Sequence, residues 1–473
     1  MNDRPRPGSH IHFIAICGVG MASLAGLLQA QGYRVTGSDQ NVYPPMSTYL
    51  EGIGIEVLSG YREEHLSTRP DLVIIGNAVS RGNPEAQRVL GLEIPYISFP
   101  EALGKFLIAD RQSLVITGTH GKTTTAALAA WVLKKAGLDP GYFVGGVPVN
   151  FGSGWGDGRG EHVVIEGDEY DSAFFDKGPK FLHYRPRNVI LTSIEFDHAD
   201  IYRDLEHLKS AFRRLVDMIP ADGRLIACSD YPAVLEVASA WFGRIISYGD
   251  DPGAHWRSEN LTVTEGRSFF EPCYLGKSEG LIEVGLIGRH NVKNALAVYA
   301  MAREMGIEPE RLPEGFATFA GVKRRQEVKG EVGGVIVIDD FAHHPTAVRE
   351  TLDAVKAAYS GRRLWAVFEP RSNTSRRNIF ESEYAQALAA ADRVVLAAVH
   401  QPEKVPEAQR LSVENVVATI NHVRGDKRAT LIEKTHEIAP YVAENAAPGD
   451  IVLVMSNGGF DGVPEKILQA LAG

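Results

Sequence analysis

Residues 113–137, SLVITGTHGKTTTAALAAWVLKKAG, decide the fold of this chain. An apolar run of strand length leads into a glycine-containing turn, and an alanine-rich helical pattern follows the turn. Between a strand and a helix, the N–H groups of the turn and the positive end of the helix dipole can hold phosphate oxygens. The stretch therefore predicts a phosphate-binding loop that opens an α/β domain in the middle of the chain.

The predicted loop is GTHGKTT, residues 118–124, and its first glycine lies three residues before Gly121. The common G-x-x-x-x-G-K-[ST] pattern has a longer spacing, so this loop is a shortened form. Lys122 would neutralise the β- and γ-phosphates of ATP, and Thr123 would place its hydroxyl on Mg²⁺. The alternative is a glycine turn with a solvated lysine, which does not explain the flanking strand and helix. The predicted ATP contacts here are Gly118, Thr119, His120, Gly121, Lys122, Thr123 and Thr124.

Further α/β patterns lie on both sides of the central one. From His10 onward, HIHFIAI, CGVG, MASLAGLLQAQG and YRVTGSD form a strand, glycine turn, helix and strand. Towards the C-terminus, GVIVIDD, RLWAVFEPR, RVVLAAV and DIVLVMS alternate with helical segments. A chain of 473 residues is too long for one hydrophobic core. We predict an α/β protein with a Rossmann-like N-terminal domain (1–108), a central P-loop ATPase-like domain (109–324) and a Rossmann-like C-terminal domain (325–473).

Composition disfavours several classes of protein. The net charge of −10 argues against coating of nucleic acid, which needs a basic face. No apolar run approaches the length of a membrane helix, and residues 1–10 lack the apolar core of a secretory signal. Cys17, Cys228 and Cys273 form no C-x-x-C pair, so neither a disulfide framework nor a zinc site is indicated. We expect a cytoplasmic protein without nucleic-acid partners or stable membrane association, and its oligomeric state stays open.

The loop GTHGKTT, the acidic segment EGDEYD (166–171) and the segment FDHAD (196–200) together resemble the Mur ligase family. The resemblance covers essentially the whole chain. It implies a bacterial ATP-dependent ligase that forms a C–N bond on a UDP-muramoyl substrate during peptidoglycan metabolism.

The glycine-rich stretch 151–160 within the central domain is predicted, from composition, to be a mobile surface loop.

By this resemblance, the two strand-end segments predict a metal site. Segment 166–171 matches the family's E-x-D-E-x-D pattern, and carboxylate oxygens suit Mg²⁺. Without a phosphate loop nearby, such a segment would be an ordinary solvated strand end. Segment 196–200 matches a family segment whose histidine contacts a second metal, although an isolated histidine is usually structural. The predicted metal ligands are Thr123, Glu166 and His198, and the predicted catalytic residues are Lys122, Glu166 and His198.

The resemblance extends to the rest of the nucleotide site. Segment GRHNVKNA (288–295) matches a helix start at which the family's asparagines approach adenine. Four residues near the start of the third domain match positions that reach the nucleotide when that domain closes, namely Arg324, Arg325, Asp339 and Asp340. Surface charge is the alternative for the paired arginines. We expect hinges near residues 100–111 and 321–330. The further predicted ATP contacts are His290, Asn291, Asn294, Arg325, Asp339 and Asp340.

The first domain carries GVGMAS (18–23), a dinucleotide-binding turn in which Ser23 replaces the last glycine. Alone, this turn indicates an NAD-dependent oxidoreductase, which leaves the phosphate loop unexplained. A non-catalytic nucleotide sensor is the other alternative, and it leaves the metal segments unexplained. In the Mur ligases the first domain holds the UDP of the sugar substrate, which accounts for both features. The predicted UDP-sugar contacts are Gly18, Val19, Gly20, Met21, Ser38, Asp39, Asn77 and Ala78.

Six short segments resemble the tripeptide-adding branch of the family. They are VYPPMST (42–48), GNA (76–78), RGNP (81–84), FAHHPT (341–346), EPRSNT (369–374) and MSNGGF (455–460). The branch implies that UDP-N-acetylmuramate is joined to the murein tripeptide L-Ala-γ-D-Glu-meso-diaminopimelate, and addition of L-alanine is the alternative. The guanidinium of an arginine can bind a carboxylate through two parallel hydrogen bonds. Arg371 follows residue 368, at the sheet end where ligands of α/β proteins bind, so an anionic peptide would suit this position. The predicted peptide contacts are His344, Arg371, Ser372, Asn373, Thr374 and Asn457.

The sequence leaves two features of this predicted chemistry open. It does not establish whether diaminopimelate is required at the third peptide position. Many Mur ligases also carry a carbamylated lysine that helps to hold a metal, and no lysine of this chain can be assigned that role.

Overall fold

The structure, a computed structural model, describes residues 4–44, 46–264 and 266–473, and in these ranges three large sheets follow one another along the chain, together with one two-stranded sheet. Helices cover the sheets, as an α/β architecture requires. Pro45, which belongs to the segment 42–48, and the first three residues of the chain lie outside the described residues. Among the described helices, none combines the length and the apolar character that a bilayer crossing needs.

The first sheet is parallel and has the order β3-β2-β1-β4-β5. Its strands are β1 (His10–Ile14), β2 (Arg34–Asp39), β3 (Glu56–Ser59), β4 (Leu72–Ile75) and β5 (Tyr96–Ser98), and its helices are α1 (Val19–Ala30), α2 (Met46–Gly52), α3 (Pro84–Gly91) and α4 (Phe99–Leu103). Helix α3 begins at a proline, and the side chain of Asn83 caps it by accepting from Ala86 N. Because the strand order reverses at β1, a ligand cleft is expected at the carboxyl ends of β1 and β4.

The second sheet is mixed, with a parallel centre in the order β7-β9-β6-β12-β13-β14 and antiparallel strands at its edges. Its strands are β6 (Gln112–Thr117), β7 (Gly141–Phe143), β8 (Trp155–Gly156), β9 (His162–Gly167), β12 (Pro186–Leu191), β13 (Arg224–Cys228), β14 (Ile245–Tyr248), β15 (Trp256–Thr264), β16 (Arg267–Tyr274), β17 (Lys277–Ser278) and β18 (Ile282–Val284), while β10 (Asp171–Ala173) and β11 (Asp176–Pro179) form a separate hairpin. The helices are α5 (Lys122–Lys135), α6 (Leu205–Asp217), α7 (Pro232–Ala238), α8 (Arg289–Glu304) and α9 (Pro313–Ala317).

The central strands are apolar along their length because helices cover both faces of the sheet. In β6, Val115 packs in one hydrophobic cluster while Leu114 and Ile116 pack in the other. In the strand register, Thr117 lies beside Gly167 of β9 and Leu191 of β12. The carboxyl ends of β6, β9 and β12 therefore meet at one edge of the sheet, where the loop 118–121 starts.

The glycine-rich segment 151–160 differs from its prediction as a mobile surface loop. It contains β8, which pairs with β7, and it is anchored to the N-terminal domain. Trp155 Nε1 donates to the hydroxyl of Tyr49 at 3.0 Å, and Asp157 accepts from Gln31 Nε2 at 3.0 Å. A Cβ on Gly26 of α1 would lie 3.2 Å from the Trp155 ring, so the glycine makes this approach possible. Composition could not reveal the anchoring because the partners are distant in sequence.

The third sheet has the order β19-β20-β24-β21-β22-β23 and is parallel except for the edge pair β19 and β20. Its strands are β19 (Glu327–Val332), β20 (Val335–Asp340), β21 (Leu364–Phe368), β22 (Arg393–Ala397), β23 (Ala429–Ile432) and β24 (Ile451–Met455), and its helices are α10 (Pro345–Ala358), α11 (Glu381–Leu388), α12 (Val413–Arg424), α13 (Thr435–Asn445) and α14 (Val463–Ala472). Short 3₁₀ segments lie at Glu63–Leu66, Lys180–His183, Pro309–Arg311, Asn378–Phe380, Pro402–Lys404, Glu407–Gln409 and Phe460–Gly462, and a π-helical turn lies at Gly104–Ile108.

The connection from the second to the third sheet bends sharply at residues 321–326. Lys323 N donates to the Val147 carbonyl at 3.0 Å, which ties the connection to the central domain. Arg324 and Gln326 then adopt φ values of +60° and +51°. Gln326 N donates to Asp340 at 2.7 Å, in the third sheet. The bend places Arg325 between the two domains.

Candidate active site

The loop between β6 and α5 is shaped to receive an anion. Gly118 and Gly121 have φ values of +130° and +79°, where a side chain would be strained. A Cβ on Gly121 would also lie 2.6 Å from Asn294 Oδ1. The N–H groups of Thr119 and His120 donate to the carbonyl and hydroxyl oxygens of residue 193, whereas the first amides of a helix have no acceptor within it. These helix amides point out of the start of α5, where phosphate oxygens can bind.

Lys122, the first residue of α5, is folded back over the loop. Its Nζ lies 2.6 Å from the Gly118 carbonyl oxygen and 2.9 Å from Glu169 Oε2. Glu169 is only 1% exposed, and its Oε1 lies 2.9 Å from His198 Nε2. Burial alone would lower the pKa of Lys122, but the charges of Glu169 and Asp168 outweigh burial and raise that pKa. Lys122 is therefore a cation at neutral pH, held at the mouth of the loop.

Glu169 is a site residue that the sequence prediction did not include. The prediction chose Glu166, whose carboxylate accepts from Thr123 Oγ1 at 2.8 Å and from Gly145 N at 2.7 Å. Strand β9 ends at Gly167, so the regular alternation of side chains stops before Glu169 is reached. Nothing in the local pattern then indicates which carboxylate turns towards Lys122.

The residues around the loop fit a Mg²⁺ ion that accompanies a bound nucleotide. The hydroxyl of Thr123 and the carboxylates of Glu166 and Glu169 are hard oxygen donors, which Mg²⁺ prefers. His198 Nε2 lies 2.9 Å from Glu169 Oε1. Burial lowers the pKa of His198, but the hydrogen bond and charge of Glu169 outweigh it and raise that pKa. Of the predicted ligands, Thr123 and Glu166 bond each other, while His198 bonds Glu169, which also holds Lys122.

A second group of possible metal ligands lies between the central and third domains. One ligand atom from each of His120, Glu195 and His344 lies within 4.8 Å of the other two. Glu195 already accepts from His120 at 2.7 Å and from the hydroxyl of Thr346 at 3.2 Å. The His344 ring bonds Thr346 N and the Phe196 carbonyl, each at 3.3 Å. Hydrogen bonds therefore account for this group.

A cleft lies between the phosphate loop and the third domain. Asn291 and Asn294 orient each other in it, because Asn294 Nδ2 donates to Asn291 Oδ1 at 3.2 Å. The Arg325 guanidinium lies 4.6 Å from the centre of the Phe341 ring and donates to Thr123 Oγ1 at 3.2 Å. Of the predicted nucleotide residues, the cleft is lined by His120, Gly121, Thr124, His290, Asn291, Asn294, Arg325 and Asp340. Asp339 is not among the lining residues, and it accepts from Arg324 Nε at 3.2 Å.

The N-terminal domain has its own cleft at the carboxyl ends of β1 and β4. It is lined by the predicted residues Gly18, Val19, Gly20, Met21, Asp39, Asn77 and Ala78. Ser38 is fully buried and donates to Glu85 at 2.5 Å, so its side chain does not face this cleft. Lys180 of the central domain also lines the cleft, and its Nζ lies 2.8 Å from Asp168. Burial would raise the pKa of Asp168, but Lys180 and Lys122 outweigh it and lower that pKa to about 2.

The predicted peptide residues differ in what their side chains contact. Arg371 is partly exposed, and its Nη1 lies 3.4 Å from Glu369 Oε1. Within the described structure, Asn457 Oδ1 is buried and has no hydrogen-bond partner. Ser372 bonds Ser375 at 2.9 Å. The side chains of His344, Asn373 and Thr374 each bond the central domain, and His344 also bonds the N–H of Thr346 at the start of its own helix. Arg371 and Asn457 are thus the members of the set with free hydrogen-bonding capacity at the end of the third sheet.

Three family descriptions match this chain: Mur ligase middle domain at residues 116–302, Mur ligase family, catalytic domain, at 10–111, and Mur ligase, glutamate ligase domain, at 324–458. The chain is 43% identical over 465 residues to UDP-N-acetylmuramate–L-alanyl-γ-D-glutamyl-meso-2,6-diaminoheptandioate ligase of Escherichia coli K12, with 98% of each chain covered. It is 35% identical to UDP-N-acetylmuramate–L-alanine ligase of Carboxydothermus hydrogenoformans, with 97% of this chain and 96% of that one covered. The crystal structure of a murein peptide ligase from Psychrobacter arcticus matches with a TM-score of 0.72 and 36% identity, covering 98% and 99% of the two chains.

Proposed function

The chain belongs to the Mur ligase family, and we propose from this membership that it joins the carboxylate of UDP-N-acetylmuramate to the amine of L-Ala-γ-D-Glu-meso-diaminopimelate. The observation that carries the ligase activity is the placement of Lys122, Glu169 and His198 at the phosphate loop. The choice of amine is supported by the 43% identity to the tripeptide-adding relative, against 35% to the alanine-adding one. We place the reaction in the recycling of cell-wall peptide in the bacterial cytoplasm.

In the first step, an oxygen of the muramoyl carboxylate attacks the γ-phosphorus of ATP, and ADP leaves with the electrons of the broken P–O bond. The product is an acyl phosphate. The amides at the start of α5 and the cation of Lys122 hold the phosphate oxygens as the charge moves to ADP. Thr123, Glu166, Glu169 and His198 would hold Mg²⁺, which neutralises phosphate charge when bound.

In the second step, the peptide amine attacks the acyl carbon to give a tetrahedral intermediate. Inorganic phosphate then leaves with the electrons of the broken C–O bond and takes up the proton that the amine loses. The protein's main contribution is to position the two substrates against each other. Because the acyl phosphate hydrolyses in water, the contact between the third domain and residues 195–198 also serves to exclude solvent.

The contacts of Lys180 support a route for the sugar substrate from the N-terminal cleft to the phosphate loop. Lys180 lines the N-terminal cleft and bonds Asp168, which is next in sequence to the Glu169 that holds Lys122. A UDP group bound against residues 18–21 would therefore direct its muramoyl end along Lys180 towards the phosphate loop. The amine would enter from the third domain, where Arg371 suits the carboxylates of an anionic tripeptide.

The test is a reconstituted reaction with ATP, Mg²⁺ and UDP-N-acetylmuramate and with either the tripeptide or L-alanine. We expect phosphate release that requires both the sugar and the amine, with the tripeptide strongly preferred. Preference for L-alanine at equal concentration would reassign the chain to the alanine-adding branch. ATP binding without phosphate release under any of these conditions would support a nucleotide sensor and refute the ligase.

A further inference from the structure

The side chain of Thr374 is buried at the contact between the third and central domains. It is only 2% exposed, although it belongs to a loop that follows the end of β21. Its hydroxyl donates to Asp197 Oδ1 at 2.5 Å and accepts from His198 N at 3.1 Å. The hydroxyl thus donates its one hydrogen and accepts one hydrogen bond within the protein, and its burial keeps it away from a bound peptide.

The partner of this contact, His198, has a strained backbone. Its φ is +55°, a left-handed conformation that a non-glycine residue adopts only when its surroundings hold it there. The N–H of His198 donates to Asp197 Oδ1 at 2.7 Å in addition to Thr374. One of the two acceptors that hold this peptide group therefore belongs to the third domain.

Asp197 connects the same strained turn to the third domain a second time. Its Oδ1 accepts from Thr374, and its Oδ2 lies 3.9 Å from His343 Nε2. Asp197 is itself 4% exposed, so its charge is stabilised by these neighbours more than by water. On the side away from this turn, His198 Nε2 faces Glu169 at 2.9 Å.

We propose that Thr374 is a positioning residue that fixes the backbone of His198, so that the histidine faces Glu169 correctly only when the third domain is docked. The inference rests on the proposed ligase function. The contact couples the loop that carries Thr374, next to the proposed amine site, to Glu169 and Lys122. The reason is that the Thr374 hydroxyl bonds the backbone of His198, whose ring faces Glu169. Ligation is then permitted only in the docked arrangement, where the acyl phosphate is shielded.

The test compares Thr374→Val with Thr374→Ser in the full-length enzyme. Valine keeps the shape of threonine but can neither donate nor accept, so kcat should fall about 10- to 100-fold. The KM values for tripeptide and ATP should change less than about threefold, because the hydroxyl of Thr374 is buried and bonds Asp197 and His198. Serine retains the hydroxyl and should restore most of the kcat.

Asp200→Ala provides the matched control. Asp200 is exposed and accepts from Asn373 Nδ2 at 2.8 Å, so the variant removes a neighbouring contact between the same two domains without touching His198. We expect its kcat to stay within about twofold of the wild type. An equal loss of kcat in Asp200→Ala and Thr374→Val would show that domain docking alone matters, and would overturn the role of Thr374.

Two further outcomes would also overturn the inference. A raised KM for the tripeptide with unchanged kcat in Thr374→Val would make Thr374 a peptide contact, and unchanged kinetics would leave it without a role. If Thr374→Val does not fold, Asp197→Asn replaces it, since the amide keeps the shape but weakens both hydrogen bonds and should also lower kcat. A wild-type enzyme that ligates only L-alanine would refute the proposed amine, while the same comparison with L-alanine would still test Thr374.

Discussion

The Nζ of Lys122 lies 2.9 Å from the buried carboxylate of Glu169, although Lys122 begins helix α5 and Glu169 follows strand β9. The contact keeps the lysine charged and aimed at the mouth of the phosphate loop. It also connects the loop to His198, which bonds the other oxygen of the same carboxylate. A phosphate entering the loop would meet a cation whose position is already fixed, which favours transfer chemistry.

We expect Lys122→Ala to reduce ATP-dependent ligation by about 100-fold or more, because loss of one fixed charge contact commonly has that cost. The measurement is phosphate release in the presence of both substrates. Lys135→Ala is the control: this lysine ends the same helix and pairs with Glu314 at 2.7 Å, and its loss should leave the rate unchanged. Near-normal turnover by Lys122→Ala would remove the loop from the mechanism.

Glu169→Gln should also lower kcat by about 100-fold or more, since the amide has the size of the carboxylate but no charge to hold Lys122. Titration of Mg²⁺ in the same assay should show a higher requirement for the ion. Glu161→Gln changes an exposed carboxylate just before β9 and should behave like the wild type. If Glu169→Gln kept full activity at every Mg²⁺ concentration, the residue would be structural.

Arg371→Ala should weaken use of the tripeptide by about 10-fold or more and should leave the KM for ATP and for UDP-N-acetylmuramate nearly unchanged. The reason is that Arg371 lies at the end of the third sheet and is not among the residues that line either nucleotide cleft. Arg377→Ala is matched to it, because Arg377 is on the same loop but donates to Gln409 at 2.5 Å. Equal effects of both substitutions on tripeptide KM would argue against a specific carboxylate contact.

His290→Gln should reduce the sensitivity of the fold to mild acid. Burial, with help from the charges of Lys293 and His120, lowers the pKa of His290 from 6.5 to about 4. The unfolded chain therefore binds this proton more readily, so stability is lost as the pH falls from the unfolded value towards the folded one. Thermal midpoints without nucleotide, at about pH 7 and about pH 5, should differ less in the variant than in the wild type. His344, whose pKa is lowered to about 4 as well, should preserve part of the dependence. An unchanged difference between the two pH values would refute the contribution of His290.

Much of the architecture followed from local pattern. Apolar strands, glycine turns and amphipathic or alanine-rich helices repeat along the chain, and the predicted α/β fold with a Rossmann-like, a P-loop and a second Rossmann-like domain is confirmed. The ligase function was likewise accessible, because GTHGKTT and the two strand-end segments are short and contiguous in sequence. The assignment of individual site residues stays a prediction that the variants above would test.

The tertiary structure decided the features that depend on partners far apart in sequence. The sequence favoured Glu166, and only the fold brings Glu169 onto Lys122, because the chain leaves the regular strand before that residue. Segment 151–160 looked mobile by composition, yet Trp155 packs on the first domain. Thr374 was expected to contact the peptide, but in the structure its hydroxyl bonds Asp197 and His198. A local pattern specifies strands, helices and loops through backbone propensity and periodicity, whereas which side chains share a site depends on how distant segments pack, and that only the folded chain determines.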